Sequence, residues 1–345
     1  MISESSPGGT STSRFSAVAA PAGRSLRSKL SASDLVFRAV ARAGGVFVLV
    51  LMLLVGSFLA FRALNALHKA GWSFLTTQAW NPDSNDFGIV AILVGTILIA
   101  FVAIIVALPL ATGAALYISE YAPRQIKPLL IGVIDLMAAV PSIVYGMWGW
   151  GFLQWKMASL ARWINDWFFW IPLFKVDGVT RHYSAGQTAT FYTSSSFMAG
   201  VVVALMVMPI ACSIMRQAFS QAPPGEREGA YALGSTRWGM IRAVVIPFGL
   251  GAMIGGTMLG LGRALGETIA VALIISPVFL VQPHILQSGG SSIASLIALR
   301  YAESTPFGVS ALFAAGLALF GLTLSVNFVA AVIVSRSRSG AVSDA

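Results

Sequence analysis

Six stretches of this 345-residue chain are apolar over a length that crosses a bilayer. A hydrocarbon core of about 30 Å requires roughly 20 helical residues at a rise of 1.5 Å each. The stretches lie near 45–64, 88–110, 128–150, 197–215, 249–276 and 307–334. The fold class expected is therefore all-α, a polytopic membrane bundle of six transmembrane helices. Composition agrees, since 57% of residues are hydrophobic and 10% charged, against about 45–50% and about 25% in soluble domains.

A net charge of +9 would point to nucleic acid in a soluble protein. Here the basic residues flank the apolar runs rather than forming one stripe, which argues topology and no nucleic acid. With the amino terminus in the cytoplasm, the inner segments hold Arg14, Arg24, Arg27, Lys29, Arg38, Arg42, Arg124, Lys127, Arg216, Arg227, Arg237, Arg242, Arg336 and Arg338. The outer ones hold few, and most of those lie in one long loop over 151–196 whose charges weigh little. Both termini are expected inside.

Residues 1–33 are rich in Ser, Gly, Ala and Pro and poor in large apolar groups, so a disordered cytoplasmic tail is expected. Residues 34–44 separate Leu35, Val36, Ala39 and Val40 from Arg38 and Arg42, the pattern of a short helix lying along the headgroups. The six-span domain proper is then 45–345. Trp155, Trp163, Trp167 and Trp170 in the long outer loop are expected at the membrane interface, in contact with lipid. A single cysteine, Cys212, allows no intrachain disulfide. His68, His182 and His284 are scattered, and no metal-ligand, nucleophile or paired-carboxylate constellation appears, so no metal site or enzymatic activity is expected.

Charge inside a span is costly and marks the path of a polar solute. Arg263 and Glu267 lie in the fifth apolar run, four residues apart, which on a continuous helix puts them on one face. Asp135 lies in the third run. Its expected depth differs from that of Arg263 by more than a side chain spans, so a gating or packing role is expected for it. Ser142 and Tyr145, further along the third run, are candidate neutral donors to the path. Pro109, Pro141 and Pro209 each remove a backbone donor and are expected to kink their helices. In the fifth run Gly251 and Gly255, Gly256 and Gly260, and Gly262 and Gly266 have the spacing that lets helices approach closely.

Between the fourth and fifth runs, over 216–247, the sequence reads Glu228-Gly229-Ala230, three residues, Gly234, nine residues, Val244, one residue, Ile246-Pro247. Pro224 favours a helix start, Gly234 a helix end, and Ser235 or Thr236 the cap of a third segment. This stretch resembles the EAA loop of permease subunits in bacterial ABC importers, with Gly229, Val244 and Ile246 replacing residues of similar size. Two further segments, Asp135 to Gly149 and Gly260 to Val271, resemble the C-type permeases of the high-affinity phosphate importer, the likeness running from about the second span to the carboxyl end.

The resemblance implies a type I ABC importer permease fold in a bacterial cytoplasmic membrane. It implies a heterodimer with a second, distinct permease, two copies of an ATPase that bind ATP and magnesium, and an extracytoplasmic phosphate-binding protein. Glu228, Gly229, Ala230, Gly234, Ile246 and Pro247 would form the ATPase coupling segment. No Gly-x-x-x-x-Gly-Lys-Ser/Thr loop occurs, so no cofactor is expected in this chain itself. The chemistry of the cargo fits, because a guanidinium binds two oxygens of an oxyanion together. Sulfate, molybdate or phosphonate are the alternative cargoes, and a proton-coupled carrier using Glu267 and Asp135 is the rival mechanism.

Overall fold

In the computed structural model, which describes residues 32–178 and 185–338, the apolar runs are helices. They are α1 Ala32–Ala70, α2 Val90–Leu116, α3 Lys127–Ala139, α4 Ser142–Trp148, α5 Gln154–Phe168, α6 Ala185–Tyr192 and α7 Ser196–Ser220. There follow α8 Pro224–Ala232, α9 Arg237–Met240, α10 Ile246–Gly266, α11 Ile269–Ile274, α12 Ile293–Arg300 and α13 Pro306–Arg338. A two-stranded antiparallel ribbon, β1 Trp80–Asn81 with β2 Asp86–Phe87, follows α1. Among the described residues, five helical segments are long and apolar enough to cross a membrane, and a pair bent by 90°, Lys127–Ala139 with Ser142–Phe168, makes a sixth.

By compactness the chain divides into Met1–Leu53 and Leu54–Ala345. In the first unit the described side chains are exposed on every side. The bundle belongs to the second. At its centre is α7, most of whose side chains are buried. Lipid tails are as apolar as leucine, so helices in a membrane associate by close packing rather than by hydrophobic burial. The chain meets that requirement with small residues. Ala103, Ala107, Ala111 and Ala115 recur every four residues along α2, all buried, and Gly200 of α7 leaves so little room that a Cβ there would stand 2.6 Å from Val102. On the other flank of α7, a Cβ on Gly260 of α10 would stand 2.4 Å from Val207, and one on Gly256 would touch Ala211 and Ile214.

At the end opposite the 216–247 loop, the connection between α11 and α12 crosses the mouth of the bundle. Its backbone pairs with Leu173, Phe191 and Ser194, and Ile293 N–H donates to Thr96 Oγ1 of α2 at 3.0 Å. Aromatic groups fill the space beneath β1 and β2, where Phe87 meets Phe74, Trp80 and Phe307 edge to face.

Several expectations change. The separate interfacial helix over 34–44 is the opening of α1, which runs unbroken from Ala32. Gly44 and Gly45 cost only about 1 kcal/mol each in a helix interior and there is no proline to stop it. All but the last residues of the expected tail over 1–33 lie outside the described residues, as does His182. Pro109 and Pro209 stay inside continuous α2 and α7, whereas Pro141 breaks the third run outright. The helix beyond that break extends to Phe168, so the expected outer loop over 151–196 begins as helix. The fifth run divides as well, since α10 ends at Gly266 and a new helix starts at Ile269.

Candidate functional site

Both helix breaks occur beside candidate residues, and packing brings the broken ends together. Pro141 has no N–H, so the carbonyl four residues earlier, Met137 O, loses its helical partner. Val140 and Pro141 turn extended. The Tyr145 hydroxyl then donates to Met137 O at 3.0 Å, satisfying the orphaned carbonyl across the bend. Tyr145 and Ser142 therefore sit on α4, at 90° to the α3 helix that carries Asp135, rather than further along one straight helix. The proton Tyr145 was expected to offer to a solute is committed to the backbone. Ser142, half-buried at the start of α4, has a hydroxyl free of hydrogen bonds among the described residues.

The second break follows Arg263. Gly266 is the last residue of α10, and Glu267 turns extended with φ −67° and ψ 124°. Arg263 and Glu267 consequently do not share a helical face, and no ion pair joins them among the described residues. Glu267 is buried and its carboxylate accepts from Ala270 N–H at 3.4 Å, so it caps α11. Arg263 occupies the last turn of α10, where the helix dipole and unpaired carbonyls favour a cation. α4 packs on α11 so closely that a Cβ on Gly146 would stand 2.8 Å from Ala270 Cα. That contact brings Tyr145 within the electrostatic reach of Arg263.

Arg263 is exposed, and so are Gly255, Leu259 and Gly266 on the same stripe of α10. Nothing lies within 4 Å of where a Cβ on Gly255 or Gly266 would stand. The glycines thus divide by surroundings: Gly256 and Gly260 seat α7, while Gly255 and Gly266 leave an open face. Asn327 of α13 adjoins this turn, its amide oxygen 3.9 Å from the Cβ position of Gly262. Asp135 is exposed, accepts from Ser213 Oγ at 3.4 Å, and with Arg216 acts electrostatically on Cys212. It belongs to a different region from Arg263.

The 216–247 loop forms two short helices at one end of the bundle. α8 stops in a paired cap: Gly234 N–H donates to Tyr231 O at 2.9 Å and Ser235 N–H to Ala230 O at 3.1 Å. This cap requires the left-handed conformation at Gly234, φ +80°, which glycine adopts without strain. Thr236 then caps α9, accepting from Gly239 N–H at 3.2 Å. A π turn, Ile241–Val245, precedes Pro247 and sends Ile246 N–H to Ile241 O, so the missing proline donor is absorbed and the chain stays helical to Gly266. Glu228 and Gly229 are exposed, Ala230 and Ile246 are packed against the bundle, and Pro247 faces outward. Leu233, 90% exposed, projects with Tyr231 and Trp238. The tip of this charged loop therefore exposes three large apolar side chains.

A family model described as the binding-protein-dependent transport system inner membrane component matches residues 107–339. The chain belongs to this family. It is 35% identical to the phosphate transport system permease protein PstC of Pasteurella multocida, across 88% of this chain and 92% of that one. It is 36% identical to PstC 2 of Mycobacterium tuberculosis, across 88% and 93%, and 37% identical to PstC of Xylella fastidiosa, across 92% and 94%. Among solved structures, a bacterial ABC transporter that imports the acidic polysaccharide alginate superposes with a TM-score of 0.51 at 15% identity, covering 87% of this chain and 98% of that one. The inward-facing MetNI methionine ABC transporter gives 0.50 at 13% identity, covering 70% and 93%. These two likenesses concern the fold, which is that of type I ABC importer permeases. The family and the apolar helices make this permease a multi-pass membrane protein.

The region matched in this permease starts within α2 and includes every candidate residue of both sites. Three groups went unnoticed in the sequence. Asn327 was signalled by being a lone amide in the last apolar run. Glu120 and Arg227 were not signalled, because 107 residues separate them; they form an ion pair at 3.1 Å. Arg237 stacks over the Tyr121 ring at 4.9 Å beside that pair.

Proposed function

We propose that this chain is a permease subunit of an ATP-driven importer that carries inorganic phosphate across the bacterial cytoplasmic membrane. The observation that carries the reading is the Arg263 guanidinium, without a carboxylate partner among the described residues, on an otherwise apolar and glycine-rich face. An unpaired arginine at the centre of a lone helix costs about 2.5–3.5 kcal/mol to insert. A second permease closing over Gly255 and Gly266, with water and an oxyanion between the two chains, removes that penalty. The identity of 35–37% to PstC proteins supports phosphate as the cargo over sulfate, molybdate or phosphonate.

In this reading Arg263 binds phosphate oxygens and Ser142 adds a neutral donor. Glu267 and Tyr145 hold the two broken ends in place beside the path, and Asp135 acts at the inner side in gating or packing. The segment 224–240 docks on the ATPase through Glu228, Gly229, Ala230 and the exposed tip, with Gly234 setting its turn and Ile246 and Pro247 its junction to α10. The partners are a PstA-like second permease, two copies of a PstB-like ATPase that hold ATP and magnesium, and a PstS-like extracytoplasmic binding protein. Both termini lie in the cytoplasm, placing the 216–247 loop beside the ATPase. The test is phosphate uptake by a strain carrying Arg263→Gln, with sulfate uptake as control. Phosphate uptake is expected to be lost while the protein still inserts; normal uptake would remove Arg263 from the path.

A further inference from the structure

Glu120 sits in a π turn, Tyr117–Tyr121, that ends the second span, with its side chain 4% exposed. Its carboxylate takes two donors, Arg227 Nη1 at 3.1 Å and Ser119 Oγ at 3.1 Å. The other terminal nitrogen of Arg227 donates to the carbonyl of Phe219, in the last turn of α7. One guanidinium on α8 thus grips the ends of both α2 and α7, the pair whose alanine seam forms the centre of the bundle. Phe219 is fully buried, and its ring lies against Gly249 of α10, where a Cβ would stand 2.4 Å away. Further along, Val207 of α7 presses on Gly260, one turn before Arg263.

A force applied to α8 reaches the bundle only through the contacts α8 makes. Its surface is otherwise exposed or half-buried, and charge-assisted bonds of a forked guanidinium are the stiffest and most directional of those contacts. The third donor, Arg227 Nε, is buried without a partner among the described residues.

We propose that the Arg227–Glu120 pair, together with the Phe219 carbonyl, is the latch that passes movement of the docking helix to the second and fourth spans and so to the turn bearing Arg263. Glu120 and Arg227 are positioning residues for coupling, and touch neither the cargo nor ATP. The inference rests on the proposed docking of 224–240 on a partner ATPase.

The experiment uses the complete importer in proteoliposomes, reading phosphate imported per ATP hydrolysed, basal ATP hydrolysis, and retention of the ATPase on purification. Arg227→Met is expected to keep assembly and basal hydrolysis while the phosphate-to-ATP ratio falls roughly tenfold, within the usual range for residues coupled in one network. Arg227→Lys keeps the charge opposite Glu120 but has no fork for the Phe219 carbonyl, and its ratio falls by a smaller factor. An unchanged ratio in both variants overturns the latch, as does a ratio preserved while import, hydrolysis and assembly decline together, which assigns the pair to stability alone. If Arg227→Met does not assemble, Arg227→Lys decides by the same ratio. Failure of the wild-type importer to move phosphate would instead sink the proposed function, independently of the latch.

Discussion

Tyr145→Phe separates a structural hydroxyl from a cargo-binding one. In the structure that hydroxyl fills the Met137 carbonyl that Pro141 leaves empty, at 3.0 Å. Removing it orphans a carbonyl in a half-buried bend, which costs about 1–3 kcal/mol when fully buried and the lower part of that range here. The expected result is a lower unfolding temperature of the detergent-solubilised permease with the KM for phosphate unchanged. Pro141→Ala restores an N–H four residues after Met137, so Tyr145→Phe is expected to cost less in that background than in the wild type, the two changes coupling by about 1 kcal/mol. Thermal unfolding of the four proteins in one double-mutant cycle measures this. Additive effects, or a raised KM with unaltered stability in Tyr145→Phe, would refute the reasoning and return the hydroxyl to the cargo path.

Glu228→Lys reverses charge on the exposed face of α8 and is expected to abolish ATPase stimulation by loaded binding protein while the subunit still inserts, as read by ATP hydrolysis in proteoliposomes. Gly234→Ala forces a Cβ into φ +80°, costing about 1–2 kcal/mol, and is expected to loosen the turn between α8 and α9, seen as faster proteolysis of that loop. Gly260→Val is expected to lower subunit stability by about 1–3 kcal/mol, because a Cβ there already meets Val207 at 2.4 Å. A Cβ on Gly255 meets nothing within 4 Å, so with Gly255→Ala the isolated subunit should unfold at the wild-type temperature while co-purification of the second permease declines.

The all-α membrane fold was legible because apolar length is a direct physical requirement of spanning, and each of the six runs appears as helix. The turns of the 216–247 loop were legible for a similar reason: Gly234, Thr236 and Pro247 act through local backbone chemistry that needs no tertiary context. What escaped the sequence depends on contacts distant along the chain. Pro109 and Pro141 look alike in one dimension, yet one is accommodated inside α2 and the other breaks its run, where Tyr145 stands ready to take the freed carbonyl. The i, i+4 spacing of Arg263 and Glu267 implied a shared face only if the helix continued, and it ends between them. The 3.1 Å pair of Glu120 and Arg227 required knowing that α8 folds back beneath α2.

If Arg263 lines the cargo path, the open stripe of α10 that bears it faces water and a second permease rather than fatty acyl chains. Labelling of Gly266→Cys in a Cys212→Ser background, in the assembled importer, addresses it most directly, since Gly266 is exposed on that stripe and Cys212 is the sole native thiol. Reaction with a charged, water-soluble thiol reagent, slowed by phosphate, is the predicted result. Reaction with a lipid-soluble reagent alone, indifferent to phosphate, would contradict it.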